Sequence, residues 1–466
     1  MNLPENRVPS QFALLAQRRF APLFVTQFLG AFNDNVFKNA LVVLLTFNAA
    51  AWTTLSPGEL ANLAAGLFIL PFFLFSATAG QLADKFDKAR LARATKILEM
   101  LIVFFIGLGF ALTSLTLLLS ALFLLGLQST FFGPVKYAIL PQHLAPQELV
   151  GGNALVEGGT YVSILIGTLT GALLAGMAHG GAWITAVCFV VALVGYLASR
   201  AIPAAPASAP ELEIRANILR ETWRCIGFAR QDRTVFLSIL GISWFWLYGA
   251  LFLTQFPEFA RSVLHGDERF VTLLLVVFSV GVGAGSLFCE RLTRRSGKTV
   301  EPGLVSLGAV GMTLFGLDFA MASPAVGEIA SGDITEKVRD LALFLGDPAA
   351  WRILGDLLFL GMSGGLYSVP LYALVQSRSE NAHRARIIAA NNILNALFMV
   401  TGALAATLLL EHGYGIPTLF AFAAVTNGLV AIYIFTIIPE FPLRTLIWSG
   451  WRGARDGEGK TKDGEN

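Results

Sequence analysis

Gly80-Gln81-Leu82-Ala83-Asp84-Lys85-Phe86-Asp87-Lys88-Ala89-Arg90 closes one long apolar run and opens the way to the next. The order is a glycine, a small apolar pair, an aspartate and then spaced basic residues. Each part has a physical use at the end of a membrane span. Gly80 lets two helices approach closely, as small residues do in lipid. Asp84 can face the N-terminus of a neighbouring helix, whose positive dipole end favours an anion. A contact of that kind, made in one access state and broken in another, acts as a switch. The plainer reading is a charged loop that only fixes topology.

Outward from this stretch, apolar segments recur near 20–48, 60–83, 94–113, 115–140, 150–177, 181–202, 234–258, 269–290, 302–323, 351–375, 386–410 and 417–439. Each is long enough to span about 30 Å of hydrocarbon. In lipid the backbone must satisfy its own hydrogen bonds, so the segments are expected to be helices. The composition agrees, with 55% hydrophobic and 14% charged residues and a mean hydropathy of +0.66. Soluble domains carry about a quarter charged residues. The net charge of +2 is too small to suggest a nucleic-acid partner. Cys188, Cys225 and Cys289 lack metal-like spacing and read as buried thiols, and neither a metal nor a cofactor is expected. The first apolar run is too long for a signal peptide and has no cleavage site, so it is expected to be retained.

Lysine and arginine set the orientation. With the N-terminus in the cytoplasm, 26 basic residues fall on the cytoplasmic side and 5 on the other, while Lys38 and Lys136 lie inside spans. Both termini are therefore expected in the cytoplasm. The expected division is an arm over 1–19, a six-helix bundle over 20–202, a cytoplasmic linker over 203–233, a second six-helix bundle over 234–439 and a tail over 440–466. The halves echo each other. Tyr137-Ala138-Ile139-Leu140 matches Tyr372-Ala373-Leu374-Val375, Asn153-Ala154 matches Asn391-Asn392, and Gly80-x-Leu82-x-Asp84-Lys85 matches Gly285-x-Leu287-x-x-Glu290-Arg291. Parallel six-helix repeats around a central site are a known transporter plan.

The Gly80–Arg90 stretch, after the second span and on the positive side, resembles the loop signature of the major facilitator superfamily. Three further stretches are similar to the bacterial lysophospholipid transporter family: Gln27-Phe28-Leu29-Gly30-Ala31-Phe32-Asn33-Asp34-Asn35, Gly133-Pro134-Val135-Lys136-Tyr137-Ala138-Ile139-Leu140, and Gly152-Asn153-Ala154-Leu155-Val156-Glu157. The resemblance implies a twelve-helix major facilitator fold in the bacterial inner membrane. It further implies inward movement of lysophospholipids, chiefly lysophosphatidylethanolamine, by alternating access for re-acylation. In some bacteria a similar module is fused ahead of acyltransferase and acyl-carrier-protein ligase modules. Here the chain stops at Asn466, so those enzymes are expected as separate proteins.

The residues carry a reading of their own. Asp34 falls mid-span, where an ionisable side chain costs at least about 2.5–3.5 kcal/mol. It must face a cavity or a partner. Lys38, four residues on, could simply bridge it. Lys136 follows a Gly-Pro break and could snorkel to the interface or offer a cation to a phosphate, and Glu157 lies at similar depth. A zwitterionic head group needs one cation for its phosphate and one carboxylate for its ammonium. Asp34, Lys38, Lys136 and Glu157, with Asn33 and Asn35 flanking Asp34, form the expected substrate set. Gly80, Asp84, Lys85, Lys88 and Arg90 form the expected switch. Gly281-Val282-Gly283-Ala284-Gly285 lies within a span, lacks a following Lys-Ser/Thr, and reads as close helix packing rather than a phosphate loop. Two other functions compete: a proton-coupled antiporter for drugs or metabolites, with Asp34 carrying the proton, and a membrane acyltransferase. The acyltransferase expects a His-x-x-x-x-Asp pair, and His143 has Glu148 at that spacing, so an enzyme is not expected.

Overall fold

The computed structural model describes residues 10–48, 57–331 and 340–448. The chain's regular secondary structure among these residues is helical, with a non-helical stretch over 201–217: α1 (Ala21–Asn48), α2 (Pro57–Lys85), α3 (Lys88–Ala111), α4 (Leu115–His143), α5 (Leu149–Ala175), α6 (Gly180–Arg200), α7 (Ile218–Arg230), α8 (Arg233–Ser262), α9 (Glu268–Ser296), α10 (Gly303–Ser331), α11 (Leu341–Gly346), α12 (Pro348–Arg378), α13 (Arg384–Glu411), α14 (Ile416–Ile437) and α15 (Glu440–Trp448). Among the described residues eleven helices are long and apolar enough to cross a membrane: α2–α6, α8–α10 and α12–α14. The 28-residue α1 has the length, but Asn33, Asp34, Asn35, Lys38 and Asn39 make it more polar. It completes the twelve spans, so the chain is an all-α, multi-pass membrane protein.

Local chemistry starts several of these helices. Asp87 caps α3 by accepting from the Arg90 N–H at 2.9 Å, Ser114 caps α4, and Asn217 caps α7. The Asp87 cap starts α3 at Lys88, six residues before the expected apolar run. Lys88, Arg90, Arg93 and Lys96 are thus helical, and the connection from α2 is two residues long. Lys96, counted in the sequence among the cytoplasmic flank charges, is completely buried.

The chain divides into two compact units. The first comprises Met1–Phe236 with Val375–Ala396, and so takes in α1–α7, the end of α12 and the start of α13. Its apolar core joins Val36, Phe37, Ala40 and Leu41 of α1 to Ile102, Val103 and Ile106 of α3, Leu118, Leu122 and Leu125 of α4, and Ile184 and Cys188 of α6. Within this unit the linker is a docked strap. The Ser208 and Ala209 N–H groups donate to the Asp84 carbonyl at 2.9 and 2.8 Å, Ala205 N–H donates to the Asp87 carboxylate at 2.9 Å, and Gln81 exchanges two hydrogen bonds with the Arg215 backbone.

The second unit comprises Leu237–Leu374 and Leu397–Asn466. Aromatic rings fill its centre. Phe252 of α8 stacks on Phe420 at 4.3 Å and on Tyr248 at 5.0 Å, and contacts Phe278 and Phe319 as well. Gly281 and Gly285 let α9 cross α12 closely. A Cβ on either would meet the backbone carbonyl of Leu358 or Met362. The glycine run is a packing surface, as its place within a span suggested.

Candidate functional site

Consecutive residues on a helix step by about 100°, so Asn33, Asp34 and Asn35 leave α1 in three directions. Asn33 reaches α3, donating from Nδ2 to Glu99 Oε1 at 2.9 Å. Asn35 turns onto its own helix and donates to the Ala31 carbonyl at 2.8 Å. Asp34 faces α4, where the Ser129 hydroxyl donates to its Oδ2, and its Oδ1 is buried with no hydrogen-bond partner. Lys38 forms no ion pair with Asp34; its ammonium sits 5.4 Å from the Phe68 ring centre. The internal bridge that would explain Asp34 away is absent among the described residues.

Behind Asp34 lies a network the sequence reading passed over. Lys96 and Glu99, one turn apart on α3, form an ion pair with both side chains fully buried. Glu99 also accepts from Gln128 of α4 at 3.2 Å, so donors from α1, α3 and α4 converge on one carboxylate. Gln128 in turn lies beside Ser129, whose hydroxyl can reach the Gln128 Oε1 at 3.3 Å or Asp34. A buried pair satisfied in this way is held rigidly, and the network fixes where Asp34 points. The signal was present in the sequence as two opposite charges at i,i+3 inside an apolar run. Closeness to the span's end led Lys96 to be read as a flanking charge.

Lys136 and Glu157 lie on α4 and α5 and are linked through Tyr137. Glu157 of α5 is completely buried; Tyr137 donates to its Oε1 while its Oε2 has no hydrogen-bond partner. Lys136 of α4 is half-buried, with its ammonium 4.5 Å from the Tyr137 ring centre. Its electrostatic partners are Glu157 first and Asp34 second. Of the expected substrate set, then, Asp34, Lys136 and Glu157 share one polar interior of the first unit. Asn33 and Asn35 are spent on structural bonds, and Lys38 lies over Phe68, acting on Asp34 electrostatically without an ion pair. That interior offers two carboxylates, each with an unused buried oxygen, and the ammonium of Lys136, a donor-acceptor set for a group bearing both signs of charge.

At the other end of α2, Asp84 is fully buried at the start of α13. Its carboxylate accepts from the Ala385 N–H at 3.1 Å and from Arg386 Nε at 2.9 Å. This is an anion at a helix N-terminus, with a charge-assisted bond added. Gly80 lies one turn earlier; a Cβ there would come within 2.8 Å of the Ala389 Cβ and 2.9 Å of the Arg386 Cα. Arg386 also lies 4.8 Å over the Phe228 ring of α7, which stacks on His383 at 4.1 Å. Lys88 donates to Ser208 Oγ at 2.8 Å and the Pro206 carbonyl at 3.2 Å, fastening the strap. Lys85 lies near Phe86, and the Arg90 side chain is exposed. The structure thus gathers Gly80, Asp84 and Lys88 and leaves Lys85 and Arg90 outside. Arg386, read in the sequence only as a topology charge, is the partner of Asp84. A second pairing the sequence did not suggest joins Asn153 and Gln376, which exchange two amide hydrogen bonds at 2.8 and 2.9 Å.

Comparison with known proteins places these features in context. A family model described as Major Facilitator Superfamily matches residues 23–332. Among curated relatives, "Lysophospholipid transporter LplT" of Serratia proteamaculans (strain 568) is 26% identical over 382 residues, covering 80% of this chain and 84% of the relative. The protein of the same description from Enterobacter sp. (strain 638) is 27% identical over 361 residues, covering 76% and 79%. Among solved structures, the fucose:proton symporter FucP in its outward conformation aligns with a TM-score of 0.66 at 13% identity, over 89% of this chain and 97% of that one. A bacterial homologue of the iron transporter ferroportin, in an outward-facing state, aligns at 0.61 with 16% identity over 89% and 99%. At such identities the likeness is one of fold.

Proposed function

Because the chain belongs to the major facilitator superfamily, we propose that it is a lysophospholipid transporter of the bacterial inner membrane. It moves lysophosphatidylethanolamine-type lipids inward by alternating access, delivering them for re-acylation by a separate acyltransferase or acyl-carrier-protein ligase. The observation that carries the reading is the interior of the first unit, which holds the buried carboxylates of Asp34 and Glu157 and half-buried Lys136, whose ammonium interacts electrostatically with Glu157 first and Asp34 second. Two buried carboxylate oxygens there lack partners, and buried polar atoms are rarely left unpaired without a use. A zwitterionic head group supplies the missing charges: its phosphate takes Lys136 and its ammonium takes Asp34 or Glu157. The relatives described as lysophospholipid transporters support the same substrate class.

In this reading Asp84 is the switch, its contact with the start of α13 being made in one access state and lost in the other. Both termini and the strap are cytoplasmic, in keeping with the basic bias of the connections.

Exchange of Asp34 and Lys38 tests the head-group assignment. The exchange keeps both charges on α1 but takes the carboxylate away from Ser129 and the polar interior. The proposal expects the exchanged protein to insert and fold while lysophosphatidylethanolamine uptake into vesicles is lost. Retained uptake would remove Asp34 from the site. The competing antiporter reading uses the same carboxylate for a proton. It predicts uptake or resistance that follows a pH gradient and does not depend on lysolipid.

A further inference from the structure

The helix α7 has two faces, and only one is used by the protein. Glu221, Cys225 and Ala229 follow at four-residue spacing and are buried at 2% exposure or less. The opposite stripe runs Leu219, Trp223, Gly227 and Arg230, again at four- and three-residue spacing, and is exposed. Leu219 is 76% exposed and Trp223 69% exposed. Arg220 lies beside this stripe, also exposed, and Arg215 is exposed just ahead of the helix. Glu221 is turned inward and paired with Arg224 at 3.0 Å, while Glu211 and Glu213 precede the helix. The charges on the outer face of α7 are therefore arginines, Arg220 and Arg230, the latter lying 5.4 Å over the Phe236 ring.

Position decides what such a face can meet. The helix stops at Arg230 and the span α8 begins at Arg233, so its C-terminal end is held at the membrane surface by two intervening residues. A large apolar side chain and a tryptophan ringed by arginines is the composition of a helix lying in the head-group layer. Arginine pairs with phosphate, and tryptophan prefers the water–lipid boundary.

We propose that the outer face of α7 docks on anionic phospholipid head groups of the membrane the protein already spans, Leu219 and Trp223 entering the boundary and Arg220 and Arg230 taking phosphates. The inner face of α7 bears Phe228, which stacks on Arg386 and His383 beside Asp84. Lipid held by the outer face thus stabilises the helix that backs the Asp84 contact. The proposal needs no particular substrate, so it stands or fails apart from the lysophospholipid reading.

Gly227 is a usable reporter. It lies on the same stripe, and a side chain there would meet nothing within 4 Å, while Cys188, Cys225 and Cys289 are all buried. The full-length Gly227→Cys protein, labelled with an environment-sensitive fluorophore, is placed in phosphatidylcholine vesicles with and without phosphatidylglycerol. Both sets contain lipids bearing a shallow nitroxide quencher. The expected result is a blue shift and loss of emission with phosphatidylglycerol, both reversed by Arg220→Gln/Arg230→Gln and by Leu219→Ser/Trp223→Ser. Equal quenching in both vesicles would overturn the recognition of anionic lipid. An unquenched, water-exposed label in both would overturn the docking and leave the face to a soluble protein partner.

Discussion

The first unit buries eight charged side chains among the described residues: Asp34, Asp84, Lys88, Lys96, Glu99, Glu157, Glu221 and Arg386. The second buries three, Glu290, Glu301 and Asp356. Those three lie toward helix ends, and Glu290 and Glu301 pair there with Arg294 and Arg444. The centre of the second unit is instead filled by rings, with Tyr248, Phe252, Phe278, Phe319 and Phe420 in mutual contact. The interiors of the two units are thus filled differently. Buried ionisable groups in a membrane protein are expensive and mark substrate paths, whereas packed aromatic rings bury large apolar areas and contribute to stability. In the proposed function, head-group chemistry belongs to the first unit, through Asp34 and Glu157, and scaffolding to the second.

The sharpest way to break that division is at the Lys96–Glu99 pair. Removing one member leaves the other as an uncompensated buried charge, so Glu99→Leu should destabilise the protein by about 3–5 kcal/mol. Replacing both, as Lys96→Met/Glu99→Leu, removes the charge imbalance and should recover most of that loss. Denaturant unfolding in detergent would measure both. A single variant as stable as the double would mean that the pair is not desolvated, and the polar interior would lose its rigid backing. The counterpart in the second unit is Phe252→Ala, which should cost about 3 kcal/mol through the cavity it leaves. The folded fraction should keep its apparent affinity for substrate. A change in affinity without loss of stability would move recognition into the second unit and erase the contrast.

Much of this was legible in the sequence, for reasons that differ between elements. The spans were plain because lipid demands long apolar runs, and α1 was found despite its polar middle because its flanks are strongly apolar. The start of α3 was misplaced because the Asp87 cap, a local hydrogen bond, extends the helix beyond the hydrophobic signal. Asp34, Lys136 and Glu157 stood out as charges at membrane depth. Arg386 and Gln376 did not, because their partners Asp84 and Asn153 lie 302 and 223 residues away in the chain. No local pattern announces a bond of that range. The docked strap was equally hidden, being built from backbone groups whose partners only the fold supplies.

A smaller effect is expected at the end of α2. Asp84→Asn keeps the shape but weakens the bond to Arg386, and a loss of about 1.4 kcal/mol would shift the ratio of access states tenfold. Transport in vesicles should slow while unfolding stability stays close to that of the parent. An unchanged rate would reduce Asp84 to a charge that sets topology, and the polarity of the first unit would then concern the head group alone.

The central claim is that the interior of the first unit reads a group bearing both charges, with Lys136 as its phosphate contact. It is tested most directly by the initial rate of lysophosphatidylethanolamine movement across vesicles containing purified Lys136→Ala or Lys136→Arg. A cation near the phosphate is the main requirement, although lysine and arginine differ in shape and hydration. The account predicts a fall of at least about tenfold for Lys136→Ala, the equivalent of about 1.4 kcal/mol, and partial activity for Lys136→Arg. Parental rates in Lys136→Ala would contradict it.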